Sequence, residues 1–338
     1  MTFPFVNNEK APKNKSGWRF PYNLNYHFLG IGGVAMGNVA VDLAKAGYNV
    51  AGSDAAVYSP MKEFLEESGI VPLTPYSPDN LAGKDIIIVG NAISRGNPEL
   101  EALLDRRMTY TSMSEFLRWG LLTGRKNLVV TGTHGKTTTT ALLSFILTEL
   151  GIEPGYMIGG IPRDLPSGFS SGTGEYFTIE GDEYDIAYFD KRAKFLQYLP
   201  FAVIINNIQF DHGDIYHSLG EIQDAFKKLV RLIPENGYLI YNADDENIKP
   251  ALSEARCKVV TFGLESASEY TAKYTSGNIE VGKKGEKWGT FSFIPPGRFN
   301  MMNALGVVAL LDSLGMEKNE IIPALEIPGS SPPHGIRR

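Results

Sequence analysis

The chain has 338 residues, which is about the length of two domains. Its 32 Lys and Arg against 38 Asp and Glu give a net charge of −6. An acidic chain of this kind is a poor candidate for a general binder of nucleic acid or anionic membranes, and no apolar run approaches the ~18–20 residues of a membrane span. Its 43% hydrophobic and 21% charged residues exclude intrinsic disorder, and the single Cys257 excludes an internal disulfide and a four-cysteine zinc site, so we expect a folded cytoplasmic protein.

The first half of the chain alternates short apolar runs with helical patterns. Residues 1–21 have no apolar signal-peptide core, and their polar character predicts a loose arm. A first domain at residues 22–122 follows, with predicted strands at 26–29, 48–52 and 85–89 and predicted helices at 38–46, 60–68 and 98–106.

The second half repeats this alternation after a boundary near residues 122–126. A domain at 126–326 has predicted strands at 127–130, 176–180, 202–206, 238–241 and 258–262, and predicted helices at 140–150, 220–232 and 301–314. Residues 266–293 are polar and β-prone, which predicts an antiparallel edge or a small flap, and 327–338 is expected to be a linker. Short apolar strands separated by helices indicate an α/β protein: a Rossmann-like domain followed by a P-loop-type domain, each built on a parallel sheet covered on both faces.

A glycine-rich loop, GIGGVAMG, lies between the first predicted strand and helix. Gly30, Gly32 and Gly33 would let the backbone approach a pyrophosphate at the helix N-terminus, and Asp54 near the end of the next strand suits a ribose. The loop taken alone fits NAD or a UDP-sugar equally, since both present a pyrophosphate and a ribose. A turn that only packs helix on strand is the alternative.

A second loop, TGTHGKTT at residues 131–138, also joins a predicted strand to a predicted helix. Its backbone N–H groups would cradle phosphates, Lys136 would place a charge at the β- and γ-phosphates, and the Thr137 hydroxyl would contact Mg²⁺. The loop departs from the usual G-x-x-x-x-G-K-[ST] pattern because Gly132 lies only three residues before Gly135. We predict an ATP site here.

Acidic and histidine residues follow two strands of the second domain. Glu180 comes directly after a strand, at the sheet edge where ligands bind, and is the best Mg²⁺ candidate of the run EGDEYD. Asp182, Glu183 and Asp185 could equally form a solvated acidic loop. His212, beside Asp211, is predicted to bind a second Mg²⁺ or a phosphate.

Two asparagines open the last predicted helix, in the run RFNMMN. Asn300 is a plausible N-cap, and Asn303 one turn later shares its face, so the two amides could also contact an adenine edge.

Together these segments resemble the Mur ligase family, the ATP-dependent amide-forming enzymes of peptidoglycan synthesis. GTHGKTTT, EGDEYD, FDH and N-x-x-N occur in the family order, and the resemblance covers about residues 22–338. Two types of member begin with a GIGGxxM loop: one joins UDP-N-acetylmuramate to L-alanine, the other joins it to the murein tripeptide L-alanyl-γ-D-glutamyl-meso-diaminopimelate for recycling. The residue runs 90–99, 182–195 and 206–216 resemble the tripeptide-specific type.

The resemblance implies that ATP phosphorylates the muramate carboxylate and that the peptide amine attacks the acyl phosphate, with Mg²⁺ as cofactor. The implied catalytic residues are Lys136, Glu180 and His212, and the implied metal ligands are Thr137, Glu180 and His212. The implied ATP site comprises Gly132, Thr133, His134, Gly135, Lys136, Thr137, Thr138, Asn300 and Asn303. The implied UDP-sugar site comprises Gly30, Gly32, Gly33, Met36, Asp54, Asn91 and Arg95. Some relatives carbamylate a lysine on the helix after the histidine, but Lys227 and Lys228 there are expected to be surface residues.

Family members continue into a third domain, whereas this chain ends at a segment, 335–338, that resembles the entry to it. We therefore expect the 338-residue chain to bind UDP-N-acetylmuramate, and ATP weakly, without ligating. Three alternatives remain: an NAD-dependent dehydrogenase, which leaves the second loop and the acidic run unexplained; a non-catalytic UDP-sugar-binding module; and the L-alanine-specific ligase.

Overall fold

The computed structural model describes residues 16–160, 162–210, 216–275, 277–292 and 297–326. The chain divides into two compact units. Of the described residues, the first unit holds those up to Thr123 together with 169–173 and 185–192, and the second unit holds the others. Both short segments of the first unit come from the sequence range predicted for the second domain.

Sixteen strands lie within the described ranges: β1 (Asn25–Leu29), β2 (Asn49–Ser53), β3 (Ile86–Val89), β4 (Tyr110–Ser112), β5 (Lys126–Thr131), β6 (Gly155–Met157), β7 (Phe169–Ser170), β8 (Tyr176–Gly181), β9 (Asp185–Ala187), β10 (Asp190–Ala193), β11 (Pro200–Ile205), β12 (Tyr238–Asn242), β13 (Lys258–Gly263), β14 (Tyr270–Thr275), β15 (Asn278–Lys283) and β16 (Glu286–Phe291). The α-helices of the same ranges are α1 (Val34–Lys45), α2 (Met61–Glu67), α3 (Pro98–Asp105), α4 (Met113–Leu117), α5 (Lys136–Glu149), α6 (Leu219–Val230), α7 (Arg298–Ser313) and α8 (Lys318–Glu326). In this part of the chain, none of the helices has the length and apolar character needed to span a bilayer.

The first unit contains a four-stranded parallel sheet in the order β2-β1-β3-β4. Phe28 of β1 lies between Gly52 and Ile88 of its neighbours. All four residues of β3 are buried, as expected of a strand covered on both faces. The sequence prediction of a parallel α/β sheet is confirmed here.

The second unit contains a ten-stranded sheet in the order β16-β15-β14-β13-β12-β11-β5-β8-β6-β7. The pairs from β13 through β12, β11, β5 and β8 to β6 are parallel. β14 pairs parallel with β13, while β15 and β16 continue the sheet antiparallel. In the described part of residues 266–293, the antiparallel edge is therefore the one of the two predicted structures that forms.

Three helices begin earlier than their apolar patterns predict. α1 begins at 34 rather than 38, α5 at 136 rather than 140, and α7 at 298 rather than 301. The first turn of α5, KTTT, is polar and gives no apolar spacing, whereas α1 and α7 begin inside the motif runs GIGGVAMG and RFNMMN. Gly297 occupies the N-cap position of α7, which corrects the N-cap interpretation of Asn300.

The described part of the predicted N-terminal arm is not loose, which corrects that expectation. Trp18 and Phe20 are 5% and 9% exposed. Their rings stack with each other and pack against Phe116, and the Trp18 indole N–H donates to Asp42 at 2.6 Å. Burial of two aromatic rings outweighs the polar composition around them.

Candidate active site

The loop between β5 and α5 turns sharply at Gly135. Its φ of +83° is a left-handed conformation that favours glycine. A Cβ at this position would lie 2.7 Å from Asn303 Oδ1 and 3.0 Å from Asn206 Nδ2. Amides from the end of β11 and from α7 therefore lie directly against the loop, and Asn303 is 8% exposed.

Asn207 holds the backbone of the same loop. Its Oδ1 accepts the His134 N–H at 2.8 Å, its Nδ2 donates to the His134 carbonyl at 3.1 Å, and its own carbonyl accepts the Thr133 N–H at 3.2 Å. The N–H groups of Thr133 and His134, predicted to cradle phosphate, are thus bonded within the protein. The first turn of α5, up to Thr138, has no earlier helical carbonyl to bond, so its N–H groups are the better phosphate donors.

Lys136 lies at the first position of α5. Its Nζ donates to the Gly132 carbonyl at 2.8 Å and lies 3.0 Å from Glu183 Oε2. The two side chains are only 13% and 4% exposed. Glu183 is therefore the buried counter-ion of the loop lysine rather than a solvated acid, a role that its place in an acidic run did not single out.

Thr137 and Glu180 lie together beside the loop. The Thr137 hydroxyl donates to Glu180 Oε2 at 3.0 Å, and the Gly159 N–H donates to Oε1 at 2.6 Å. Burial, aided by the nearby charge of Asp182, raises the pKa of Glu180 to about 7, although both hydrogen bonds and Lys136 oppose the rise. A hydroxyl and a carboxylate are oxygen ligands that suit Mg²⁺, and a cation would relieve the unfavourable burial of the charge. These residues therefore fit the predicted metal site.

The rest of the acidic run is dispersed. Asp182 lies 3.9 Å from Lys194. Asp185 belongs to the first unit and pairs there with Lys191. The predicted metal ligand His212 lies outside the described residues.

The remaining predicted residues of the second unit lie on two helices. Asn300 is in the first turn of α7, one turn before Asn303, so the two share a face as predicted. On α6, Lys227 donates to Asp224 at 2.8 Å and Lys228 is exposed, which is the arrangement expected of surface lysines.

The glycine loop of the first unit is held by the end of β2. The N–H groups of Gly30 and Ile31 both donate to the Ser53 carbonyl, at 2.8 and 3.0 Å. The Gly32 N–H donates to Asp54 Oδ2 at 2.8 Å, and a Cβ on Gly32 would lie only 2.9 Å from that oxygen. Gly33 is the N-cap of α1 and offers no side chain, and the helix start is exposed at Gly33 and Val34, so N–H groups of the first turn are available for an anion.

Asp54 is engaged on both oxygens. Oδ1 accepts the Ala55 N–H at 2.7 Å and the Tyr76 hydroxyl at 3.1 Å. Burial and the Asp54 charge both raise the pKa of Tyr76, which keeps its hydroxyl a donor. A ribose contact by Asp54 therefore has to share or replace these bonds.

The other three residues predicted for the nucleotide sugar have different surroundings. Met36 is buried and lies beside Gly90, whereas Asn91 is exposed. Arg95 donates twice to Glu101, both at 2.9 Å, on the surface of the first unit.

Two family models match the chain. The model described as the Mur ligase middle domain covers residues 130–311, more than half of the chain, and the model described as the Mur ligase family catalytic domain covers 25–122. The chain belongs to the Mur ligase family. Its members are ATP-dependent carbon–nitrogen ligases. Each of the two glycine loops lies within one of the matched regions.

Curated relatives and solved structures agree with this assignment. The chain is 38% identical over 305 residues to the UDP-N-acetylmuramate–L-alanyl-gamma-D-glutamyl-meso-2,6-diaminoheptandioate ligase of Escherichia coli strain K12, an alignment that covers 89% of this chain and 67% of that protein. It is 35% identical to the UDP-N-acetylmuramate–L-alanine ligase of Clostridium perfringens, over 90% of this chain and 66% of the relative. A crystal structure of the Neisseria meningitidis UDP-N-acetylmuramate:L-alanyl-gamma-D-glutamyl-meso-diaminopimelate ligase matches with a TM-score of 0.85 and 33% identity, over 93% of this chain and 99% of that one. The chain thus spans about two thirds of the length of the curated relatives.

Proposed function

We propose that the chain acts in the ATP-dependent joining of UDP-N-acetylmuramate to the murein tripeptide L-alanyl-γ-D-glutamyl-meso-diaminopimelate. The observation that carries the proposal is the second-unit loop, where Lys136 and the Thr137–Glu180 pair lie at the start of α5. A charged amine, a hydroxyl and a buried carboxylate at a helix N-terminus are the groups that a magnesium–nucleotide site needs.

In this proposal the first unit holds the UDP-sugar. The open first turn of α1 binds the pyrophosphate, and the end of β2 keeps the loop of Gly30, Gly32 and Gly33 in place. Asp54 braces the loop through Gly32 while remaining near the ribose. Met36, Asn91 and Arg95 are the further candidates for this site.

The second unit holds ATP. N–H groups of Gly135 and the first turn of α5 bind phosphate oxygens. The Lys136 ammonium, paired with Glu183 in the structure, contacts the phosphate oxygens instead when ATP binds. Asn207 fixes Thr133 and His134, while Asn300 and Asn303 contact the nucleotide from α7. Thr137 and Glu180 would hold Mg²⁺, with His212 as a further proposed ligand. When bound, the ion neutralises phosphate charge.

The proposed reaction has two steps. A muramate carboxylate oxygen attacks the γ-phosphorus of ATP, the bond to the β–γ bridging oxygen breaks, and ADP leaves. The peptide amine then attacks the acyl carbon, loses a proton, and expels phosphate as the amide bond forms. Because two anions must meet in the first step, the contribution of the protein is mostly positioning and charge neutralisation by groups such as Lys136.

We assign the tripeptide, and not free L-alanine, as the acceptor because three segments of the sequence resemble the tripeptide-specific type of ligase. These segments are residues 90–99, 182–195 and 206–216. The 38% identity to a tripeptide ligase, against 35% to an alanine ligase, points the same way.

The test is calorimetric titration with UDP-N-acetylmuramate, with NAD as the parallel control. Saturable binding of the muramate nucleotide without heat from NAD supports the proposal. Binding of NAD alone would instead support the NAD-dependent dehydrogenase as the function of the first loop. Turnover is then followed as phosphate release with ATP, Mg²⁺ and either the tripeptide or L-alanine. Faster release with L-alanine overturns the acceptor assignment. A non-catalytic module would bind the nucleotide sugar but release no phosphate with either acceptor even when the C-terminal domain of a Mur ligase is added in trans, whereas the proposed ligase would then release phosphate.

A further inference from the structure

A fully buried polar cluster lies in the first unit, beneath the glycine loop. His27 of β1, Ser53 at the end of β2 and Glu99 in the first turn of α3 are each 0% exposed. Ser53 Oγ donates to Glu99 Oε2 at 2.6 Å, and His27 Nε2 lies 3.2 Å from the same oxygen. None of the proposed chemistry uses these three side chains.

Both carboxylate oxygens of Glu99 accept hydrogen bonds from the protein. Ser53 and His27 donate to Oε2, while the Ser77 N–H, at 3.0 Å, and the Asn80 amide donate to Oε1. A carboxylate has about four acceptor positions, and four donors fill them. Burial raises the pKa of Glu99, but the hydrogen bonds from His27, Ser53, Asn80 and Ser77 outweigh it and hold the pKa below its usual value. The group is therefore ionised and accepts from every partner.

The cluster is not a nucleophilic triad. His27 Nε2 and Ser53 Oγ both point to one oxygen of Glu99 and lie 3.1 Å from each other, so the imidazole does not stand between hydroxyl and carboxylate. The other ring nitrogen, Nδ1 of His27, is buried without a hydrogen-bond partner in the described structure. With every member sealed from solvent, no substrate can reach the hydroxyl.

The cluster does connect to the nucleotide-sugar loop. The Ser53 side chain is tied to Glu99, while the Ser53 carbonyl accepts the N–H groups of Gly30 and Ile31. The next residue, Asp54, accepts the Gly32 N–H. Three consecutive N–H groups of the loop are thus bonded to Ser53 and Asp54, and the side chain of Ser53 is bonded in turn to the buried carboxylate.

We propose that Glu99 is a positioning residue for the UDP-sugar site, which it acts on through Ser53 and the loop of Gly30 to Gly32. This inference rests on the proposed function, because the ligand of the loop is the UDP moiety. Glu99 touches no substrate. Its effect is to keep the loop N–H groups and the start of α1 in the orientation that binds the pyrophosphate.

Glu99→Gln tests the proposal with no change of size. One side-chain oxygen becomes an NH₂ group, which then faces two donors instead of accepting from them. A loop displaced by a fraction of an ångström should weaken UDP-N-acetylmuramate binding at least tenfold. Binding of a non-hydrolysable ATP analogue with Mg²⁺, which uses the second unit, should change less than about twofold. Glu66→Gln is the matched control, since Glu66 is exposed on α2 in the same unit with a single 4.0 Å ion pair to Lys62; it should bind both ligands like the parent chain.

Ser53→Ala provides a second, milder variant that removes one donor and leaves the carboxylate. It should weaken muramate-nucleotide binding in the same direction, with the ATP analogue again unaffected. Unchanged muramate-nucleotide binding in a folded Glu99→Gln variant overturns the proposal, as does equal loss of both ligands. Loss of the cooperative thermal transition in both variants also overturns it, because the cluster would then serve the fold and not the loop. If the parent chain itself fails to bind UDP-N-acetylmuramate, the proposed function fails instead.

Discussion

Glu183→Gln is the most discriminating perturbation of the second unit, because the chain contains a matched ion pair. Lys136–Glu183 and Lys126–Glu175 have the same Nζ–Oε2 separation, 3.0 Å. The first pair is 13% and 4% exposed, and the second is 42% and 58% exposed. The two pairs therefore match in distance and residue type and differ in burial.

The expected magnitudes differ severalfold. Removing one partner of a buried pair leaves an uncompensated charge and typically costs 3–5 kcal/mol. Because the Lys136 ammonium keeps its 2.8 Å bond to the Gly132 carbonyl, we expect about 3 kcal/mol, the lower end of that range, for Glu183→Gln. For Glu175→Gln, an exposed pair, we expect less than about 1 kcal/mol. In a unit of this size, about 3 kcal/mol corresponds to a fall in Tm of about 6–12 °C.

The assay is urea and thermal unfolding of the parent chain and both variants at pH 7.5, without nucleotide. The double replacement Lys136→Met with Glu183→Leu should recover most of the lost stability, because neither charge is then buried alone. Equal destabilisation by the two Glu→Gln variants, or no recovery in the double variant, would refute the reasoning that burial governs the strength of the Lys136 pair.

Three further outcomes are expected. Gly135→Ala places a Cβ 2.7 Å from Asn303 Oδ1 at a φ of +83°, so titration of an ATP analogue should show binding weakened at least tenfold; Gly151→Ala, with a φ of +70° and open space around the Cβ, should bind normally. For Glu180, burial raises the folded-state pKa from its usual 4.5 to about 7, so its contribution to stability falls as pH rises between these values, by up to about 3 kcal/mol. Glu180→Gln should therefore gain stability over the parent chain from pH 5 to pH 8 in urea unfolding, and a pH-independent difference would contradict this. Gly32→Ala brings a Cβ within 2.9 Å of the carboxylate oxygen that its own N–H contacts, so calorimetry should show weaker UDP-N-acetylmuramate binding with unchanged binding of the ATP analogue.

Much of the fold follows from local patterns. The buried strands β1, β3, β5 and β11 coincide with short apolar runs, since strands covered on both faces need apolar side chains throughout. The same patterns miss the start of α5, because a phosphate-type loop runs into a polar first turn, KTTT, with no apolar spacing.

The site residues also divide into those predicted from local sequence and those that were not. Lys136, Thr137 and Glu180 were predicted from their order after two strands, and parallel strands bring their carboxyl ends to one edge. Glu183 and Asn207 were not assigned roles. Their functions depend on contacts with the loop across 47 and 73 residues of sequence, which no spacing rule contains.

The sequence by itself determined the parallel α/β class and the glycine loops, because backbone preferences and apolar periodicity act over a few residues. Only the tertiary structure decided which charged groups are buried and paired. Glu99 and Glu101 lie two residues apart in one helix, yet the first is sealed among four donors and the second holds Arg95 on the surface. A helix turns about 200° between such positions, so their faces differ, and which face is covered depends on the rest of the fold.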